Sequence, residues 1–296
     1  MTPPMMTPET LRIDVGDTEL GVVRWRGEPG TPMAFAVHGI TANAWSWSAV
    51  ARHLDGQVGL VAVDLRGRGM SSAAPGPHGM RRHGDDLAAI IERLSAAPAV
   101  VAGHSMGTYV ALAAAERHPG TIDDLVLVDG GAALPLPEGM APGDALDALI
   151  GPAIERLRRV WPDRVSYRAM WSQHPAFAGE LTPEIERYVL SDLVECEGGF
   201  RSVVDEVAVR FDGEELLTDN EMRTLLDRRQ RPVTILRAET GLMATPPPLM
   251  PSELIERFPQ HDWRTVSGSN HYSILIGEVG AAAVATALTE AVSFRG

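Results

Sequence analysis

Val100-Val101-Ala102-Gly103-His104-Ser105-Met106-Gly107, followed by Thr108-Tyr109-Val110-Ala111-Leu112-Ala113-Ala114-Ala115, decides the fold of this chain. The opening apolar run is rich in β-branched residues and reads as a buried strand, and the alanine-rich stretch reads as a helix. Between them stands Gly-x-Ser-x-Gly. Strand, sharp turn and helix is the context that gives this motif a mechanism, because the turn lifts the Ser105 hydroxyl clear of the backbone above a helix N-terminus. Gly103 and Gly107 suit a place where strand and helix come too close for larger side chains. In a chain with 29 glycines the motif alone carries little. Its flanks make Ser105 the candidate nucleophile.

The same rhythm holds on either side. Leu11 to Val15 and Leu20 to Trp25 read as an antiparallel hairpin around Gly16-Asp17. Met33 to Val37 and Val58 to Val63 read as buried strands, and Trp45 to Leu54 and Gly84 to Leu94 as helices, with Asp85 and Asp86 as the acidic first turn of the second. The helix after Ser105 runs to His118, and Leu125 to Val128 is a further strand. Strands joined by helices of this length predict an α/β fold, a mostly parallel twisted sheet flanked by helices. From about Ala132 to Arg229 the pattern turns to amphipathic helices with no convincing buried strand. It resumes at Val233 to Leu236 and Trp263 to Val266 and ends in an alanine-rich helix, Val279 to Ala291. The expected organisation is one core, residues 1–131 and 232–296, with a helical cap inserted over residues 132–231.

Composition narrows the function classes. A chain of 296 residues with 45% apolar and 22% charged residues suits one elaborated globular domain. The net charge of −13 argues against nucleic acid or an anionic membrane as partner. All 26 basic residues are arginine, which reads as coding bias rather than as a binding site. Met1 to Glu9 lacks the basic and apolar regions of a signal peptide, no 18-residue apolar run exists, and the lone Cys196 fits a reducing cytoplasm. Glu195 and Glu197 disfavour a thiolate at Cys196. With no His-Glu-x-x-His, no Cys-x-x-Cys and no dinucleotide fingerprint, neither a metal nor a cofactor is expected.

With these landmarks in order, the sequence resembles the α/β-hydrolase family in its cap-bearing branch, over residues 11–131 and 232–292. His38-Gly39-Ile40 after the third strand looks like the family's oxyanion loop, and Asp64-Leu65-Arg66-Gly67-Arg68-Gly69-Met70-Ser71 like its turn after the fourth. Gly103 to Gly107 looks like the nucleophile elbow, and Gly268-Ser269-Asn270-His271-Tyr272 like the loop that carries its histidine. The resemblance implies a serine hydrolase with main-chain oxyanion donors at Ile40 and Met106. Of nine histidines, only His271 is expected at the carboxyl edge of the sheet, where a base for Ser105 must stand. His38 reads as structural, and His104 as pointing away from the nucleophile.

The third member departs from the common pattern. Many relatives carry Gly and then Asp three residues later after the strand at Val233, where this chain has Ala238 and Gly241. Two acids stay open: Asp129, the site used by a second branch and the preferred reading, and Glu239, which could instead pair with Arg237 at the surface. Trp45, Trp171 and His174 are candidate substrate contacts, although most aromatics of the insert, with Met140 and Met170, read as core or filler. The implied substrate is a small, largely apolar ester or lactone. Amide or carbon–carbon hydrolysis with the same residues, acyl transfer to an alcohol, and a low-turnover ligand-binding protein are the alternatives.

Overall fold

Apolar residues alternate sides along the central strands, and the layering follows from that alternation. Ala34 and Ala36 face one side of the sheet while Phe35 and Val37 face the other. The computed structural model describes residues 7–134, 136, 138–177 and 181–293. Met1 to Met6, where the reading of a leader mostly falls, lie outside the described residues.

The core begins with β1 (Glu9–Asp14), β2 (Glu19–Trp25), β3 (Met33–Val37), α1 (Ser48–Leu54), β4 (Gly59–Val63), α2 (Met80–Arg93), β5 (Ala99–His104), α3 (Met106–Arg117) and β6 (Ile122–Val128). An insert follows: α4 (Pro142–Arg158), α5 (Arg164–Ser172), α6 (Pro183–Leu190), β7 (Leu193–Cys196), β8 (Gly199–Ser202), α7 (Glu206–Thr218), α8 (Asn220–Arg223) and α9 (Leu225–Arg228). The core closes with β9 (Thr234–Ala238), α10 (Glu253–Arg257), β10 (Asp262–Val266), α11 (Ser273–Ile276) and α12 (Glu278–Ser293). One eight-stranded sheet runs in the order β1-β2-β4-β3-β5-β6-β9-β10. Only β1–β2 and β2–β4 pair antiparallel; every later pair is parallel. Helices α1, α11 and α12 cover one face, α2 and α3 the other. Among the described residues no helix is long and apolar enough to cross a membrane.

Two local readings need correction. The insert is not helical throughout: β7 and β8 form a short antiparallel hairpin whose strands are only partly buried, so no apolar run announces it. Helix α2 starts at Met80, which puts Asp85 and Asp86 inside it. Asp86 is buried and grips Arg66 through two bonds of 2.6 and 2.9 Å, and Asp85 takes Arg117 and His118. The helix gets its N-terminal acids from the insert instead. The Gly79 N–H donates to Asp212 and the Met80 N–H to Glu215, each at 2.7 Å.

Close approach fixes the turn at Ser105. A Cβ on Gly107 would lie 2.2 Å from the Val37 carbonyl oxygen, and one on Gly103 would lie 2.3 Å from that of Gly107. Gly107→Ala should therefore lower unfolding free energy by about 1–3 kcal/mol in urea denaturation. Wild-type stability would mean that α3 can move off β3 freely.

Buried polar side chains tie the loops at the carboxyl edge. His38 Nδ1 donates to the Gly39 carbonyl at 2.7 Å while its Nε2 accepts from the Leu65 N–H at 3.1 Å, so the ring is structural. His104 Nε2 donates to the His271 carbonyl at 2.9 Å. Burial above all, helped by nearby cationic or imidazole groups, pushes both histidines down to about 3. An unfolded histidine titrates near 6.5, so below that pH the unfolded chain takes up protons that the folded chain refuses. Stability from these two rings is complete above about pH 6.5 and is lost as pH falls, by about 1.4 kcal/mol per pH unit for each. Asp64, pushed up to about 6 by burial against the pull of the Ala44 and Met70 N–H groups, works in the opposite sense between about pH 4 and 6. The net loss should thus set in near pH 6.5 and be partly offset by Asp64 down to about pH 4. Urea denaturation at pH 7.5, 6.5 and 6.0 should show it, with a shallower slope in His104→Gln; identical slopes would refute the assignment.

Candidate active site

The carboxyl ends of β3, β5, β6 and β10 deliver their loops to one cavity, as the geometry of an open parallel sheet requires. Ser105 sits between β5 and α3 with φ 54° and ψ −121°, a conformation that costs a side-chain-bearing residue strain. The close packing around it holds that strain. A Cβ on Gly39 would touch the Ser105 side chain at 3.2 Å, and one on Gly130 would lie 2.6 Å from its carbonyl oxygen.

His271, in the loop after β10, lines the same cavity. Its Nδ1 donates to Asp129 Oδ2 at 2.7 Å, and the other carboxylate oxygen accepts from the Ala238 N–H at 3.0 Å. Asp129 is fully buried and stands in the loop after β6 with φ 49°. Burial raises its carboxyl, yet the hydrogen bond and charge of His271 and the Ala238 N–H bring it below the ordinary range. With Nδ1 occupied, Nε2 is the nitrogen left to serve the cavity that Ser105 lines.

Glu239 is elsewhere. Its carboxylate accepts from the Gly268 N–H at 2.7 Å and from the Ser267 hydroxyl at 3.3 Å, bracing the loop before His271 without touching the imidazole. The surface pair with Arg237 does not form either. Arg237 is a β9 residue and is buried.

Ile40 and Met106 both line the cavity. Met106 opens α3, so its N–H is among those a helix leaves without an internal partner. Two arginines hold the loop that bears Ile40. Arg68 Nε donates to the Ile40 carbonyl at 3.0 Å, and its Nη1 to Asp212 of α7 at 2.5 Å. Arg156 of α4 reaches the Thr41 carbonyl at 3.5 Å and pairs with Asp192. Neither arginine announced itself in the sequence, because the acids that anchor them lie 144 and 36 residues away. His104 does not turn away from the site. Its ring lies 4.8 Å from that of His271 and it lines the cavity.

The cavity measures about 1050 Å³ including its open mouth. Leu146 and Ile150 of α4 and Leu216 and Leu217 of α7 form its insert side, and among the described residues no Arg, Asp or Glu lines it. Trp45, Trp171 and His174, expected to touch substrate, do not line it. Trp45 packs edge-on against Trp25 under the Arg187 guanidinium. Trp171 and His174 stack in an aromatic cluster with Phe177, where burying ring area outweighs facing a void. Met140 is exposed and Met170 packs on the same cluster.

Comparison with known proteins agrees with this geometry. A family model described as alpha/beta hydrolase fold matches residues 35–162. The chain is similar to a 2-(acetamidomethylene)succinate hydrolase of Mesorhizobium japonicum, 24% identical over 88% of each chain. It is also similar to Lipase LipV of Mycobacterium tuberculosis, 33% identical over 45% of this chain and 48% of that one. The crystal structure of an E-2-(acetamidomethylene)succinate hydrolase superposes with a TM-score of 0.76 at 21% identity, covering 95% of this chain and 99% of the other. With the strand order, the elbow and this match, the chain has the α/β-hydrolase fold.

Proposed function

We propose that this protein is a serine hydrolase that cleaves a neutral carboxylic ester or lactone through an acyl-enzyme. The observation that carries the reading is the buried Asp129–His271 bond of 2.7 Å at the wall of the cavity that Ser105 lines. In this scheme Ser105 Oγ attacks the acyl carbon while His271 Nε2 takes its proton. The oxyanion is met by the N–H groups of Ile40 and Met106. His271 then protonates the leaving alcohol, and water, activated by the same nitrogen, releases the acid. Asp129 holds the imidazole in the required tautomer and offsets the positive charge it gains.

The choice of a neutral substrate follows from the lining. A succinate derivative, as in the name of the Mesorhizobium relative, carries carboxylates, and a buried carboxylate needs a cationic partner. Among the described residues the lining offers none, whereas apolar side chains from the insert suit an acyl or alkyl chain. The insert, residues 132–231, acts in this reading as a cap that sets specificity. The lipase named above supports the ester over the amide.

Hydrolysis of a panel of acyl p-nitrophenyl esters and lactones tests the reading. Wild type should turn over several of them, Ser105→Ala none, and a fluorophosphonate should label wild type at Ser105 alone. An unlabelled Ser105 with no turnover would leave a binding protein on the hydrolase fold. The acid is tested separately. Asp129→Asn should lower kcat by about 10²–10⁴-fold, while Glu239→Gln should stay within about threefold of wild type. The reverse ranking would move the acid to Glu239.

A further inference from the structure

The cavity is apolar except along one wall, and there the hydroxyls are unspent. This chain has four tyrosines. Tyr109 gives its hydroxyl to the Ala132 carbonyl and Tyr167 gives its own to Asp192, as buried tyrosines ordinarily do. The other two, Tyr188 and Tyr272, both line the cavity, and the hydrogen bonds they make among the described residues run through their main-chain atoms. Ser46 lines it too. Its Oγ is wholly buried and meets no partner, although the residue is only 3% exposed. A buried hydroxyl without a partner is costly enough to need an explanation.

These groups share a neighbourhood. Ser46, Tyr188 and Ile276, which line the main cavity, also line a small recess beside it with Ile185 and Glu184, whose carboxylate is held by Arg52 at 3.0 Å. Burial raises the Tyr188 phenol, and the Tyr272 phenol raises it further. Arg156 stands behind this wall, but its guanidinium is committed to Asp192, Tyr167 and the Thr41 carbonyl, and it lies over the Trp171 ring. No free charge faces the hydroxyls.

We infer that Ser46, Tyr188 and Tyr272 form a subsite for a neutral oxygen-bearing group, a ketone or hydroxyl, carried by the substrate away from its scissile carbonyl. The inference rests on the serine-hydrolase reading and names its substrate class: functionalised esters rather than plain alkyl ones. Hydroxyls suit such a group because each can donate or accept, and an apolar surround makes a neutral hydrogen bond count.

The test compares two ester sets by titration of released acid. In one set a ketone is stepped along the acyl chain, beginning at the fourth carbon; in the other it is stepped along the alcohol chain. Each is measured against its unsubstituted parent of equal length, with rates corrected for alkaline hydrolysis. At least one oxo ester should exceed its parent in kcat/KM by about tenfold. Ser46→Ala and Tyr188→Phe should each cut that advantage to under about threefold. No advantage for any oxo ester, or an equal fall for oxo ester and parent in both variants, would overturn the subsite. Thermal shift of Ser105→Ala with the same ester pairs reads binding without chemistry. A binding preference without wild-type turnover would uphold the subsite and reject the hydrolase reading. Turnover without a binding preference would do the opposite.

Discussion

The contact of the α3 N-terminus with β3 and β5 is the constraint from which the site is built. Gly103 and Gly107 let the helix start against the backbone of the sheet, at distances no side chain would allow. The chain between them must then turn sharply, and Ser105 takes a left-handed φ to do so. That strain is over-determined by its surroundings, since Gly39 and Gly130 close on the same residue from the flanking loops. The result is a hydroxyl at the cavity, with the first unpaired N–H of a helix immediately behind it.

Electrostatics then orders the rest. A buried carboxylate is expensive unless it is fully hydrogen-bonded. Asp129 meets that condition with the Ala238 N–H on one oxygen and His271 on the other, from segments 109 and 142 residues away. The same bond sets which imidazole nitrogen is free. His104 adds a main-chain tether to His271, so this residue is held from both its side chain and its backbone.

The insert is bonded into the core through buried polar groups. Its acids Asp212 and Glu215 reach the start of α2 and Arg68, which grips the Ile40 carbonyl, while its Arg156, held by Asp192, reaches the Thr41 carbonyl of the core. Buried ion pairs of this kind add little net stability, but breaking one leaves an uncompensated charge. They fix orientation. The loop that presents Ile40 is therefore set by residues of the insert as much as by the sheet.

Periodic apolar runs and the Gly-x-Ser-x-Gly flanks determined the parallel sheet, the elbow, and the place of His271 after the last strand, because those signals are local and act through backbone geometry. Which carboxylate meets His271 was not legible in that way. Asp129 and Glu239 each follow a strand, and only the approach of the β6 and β10 loops decides that Asp129 reaches His271. The start of α2 at Met80 was equally hidden, since its capping acids come from more than 130 residues downstream. The pocket walls were misread for a related reason. Aromatic residues promise contact area, but whether Trp171 faces a substrate or a neighbouring ring depends on packing that no spacing encodes. Sequence set what each segment becomes; long-range packing and buried charge set which side chains meet.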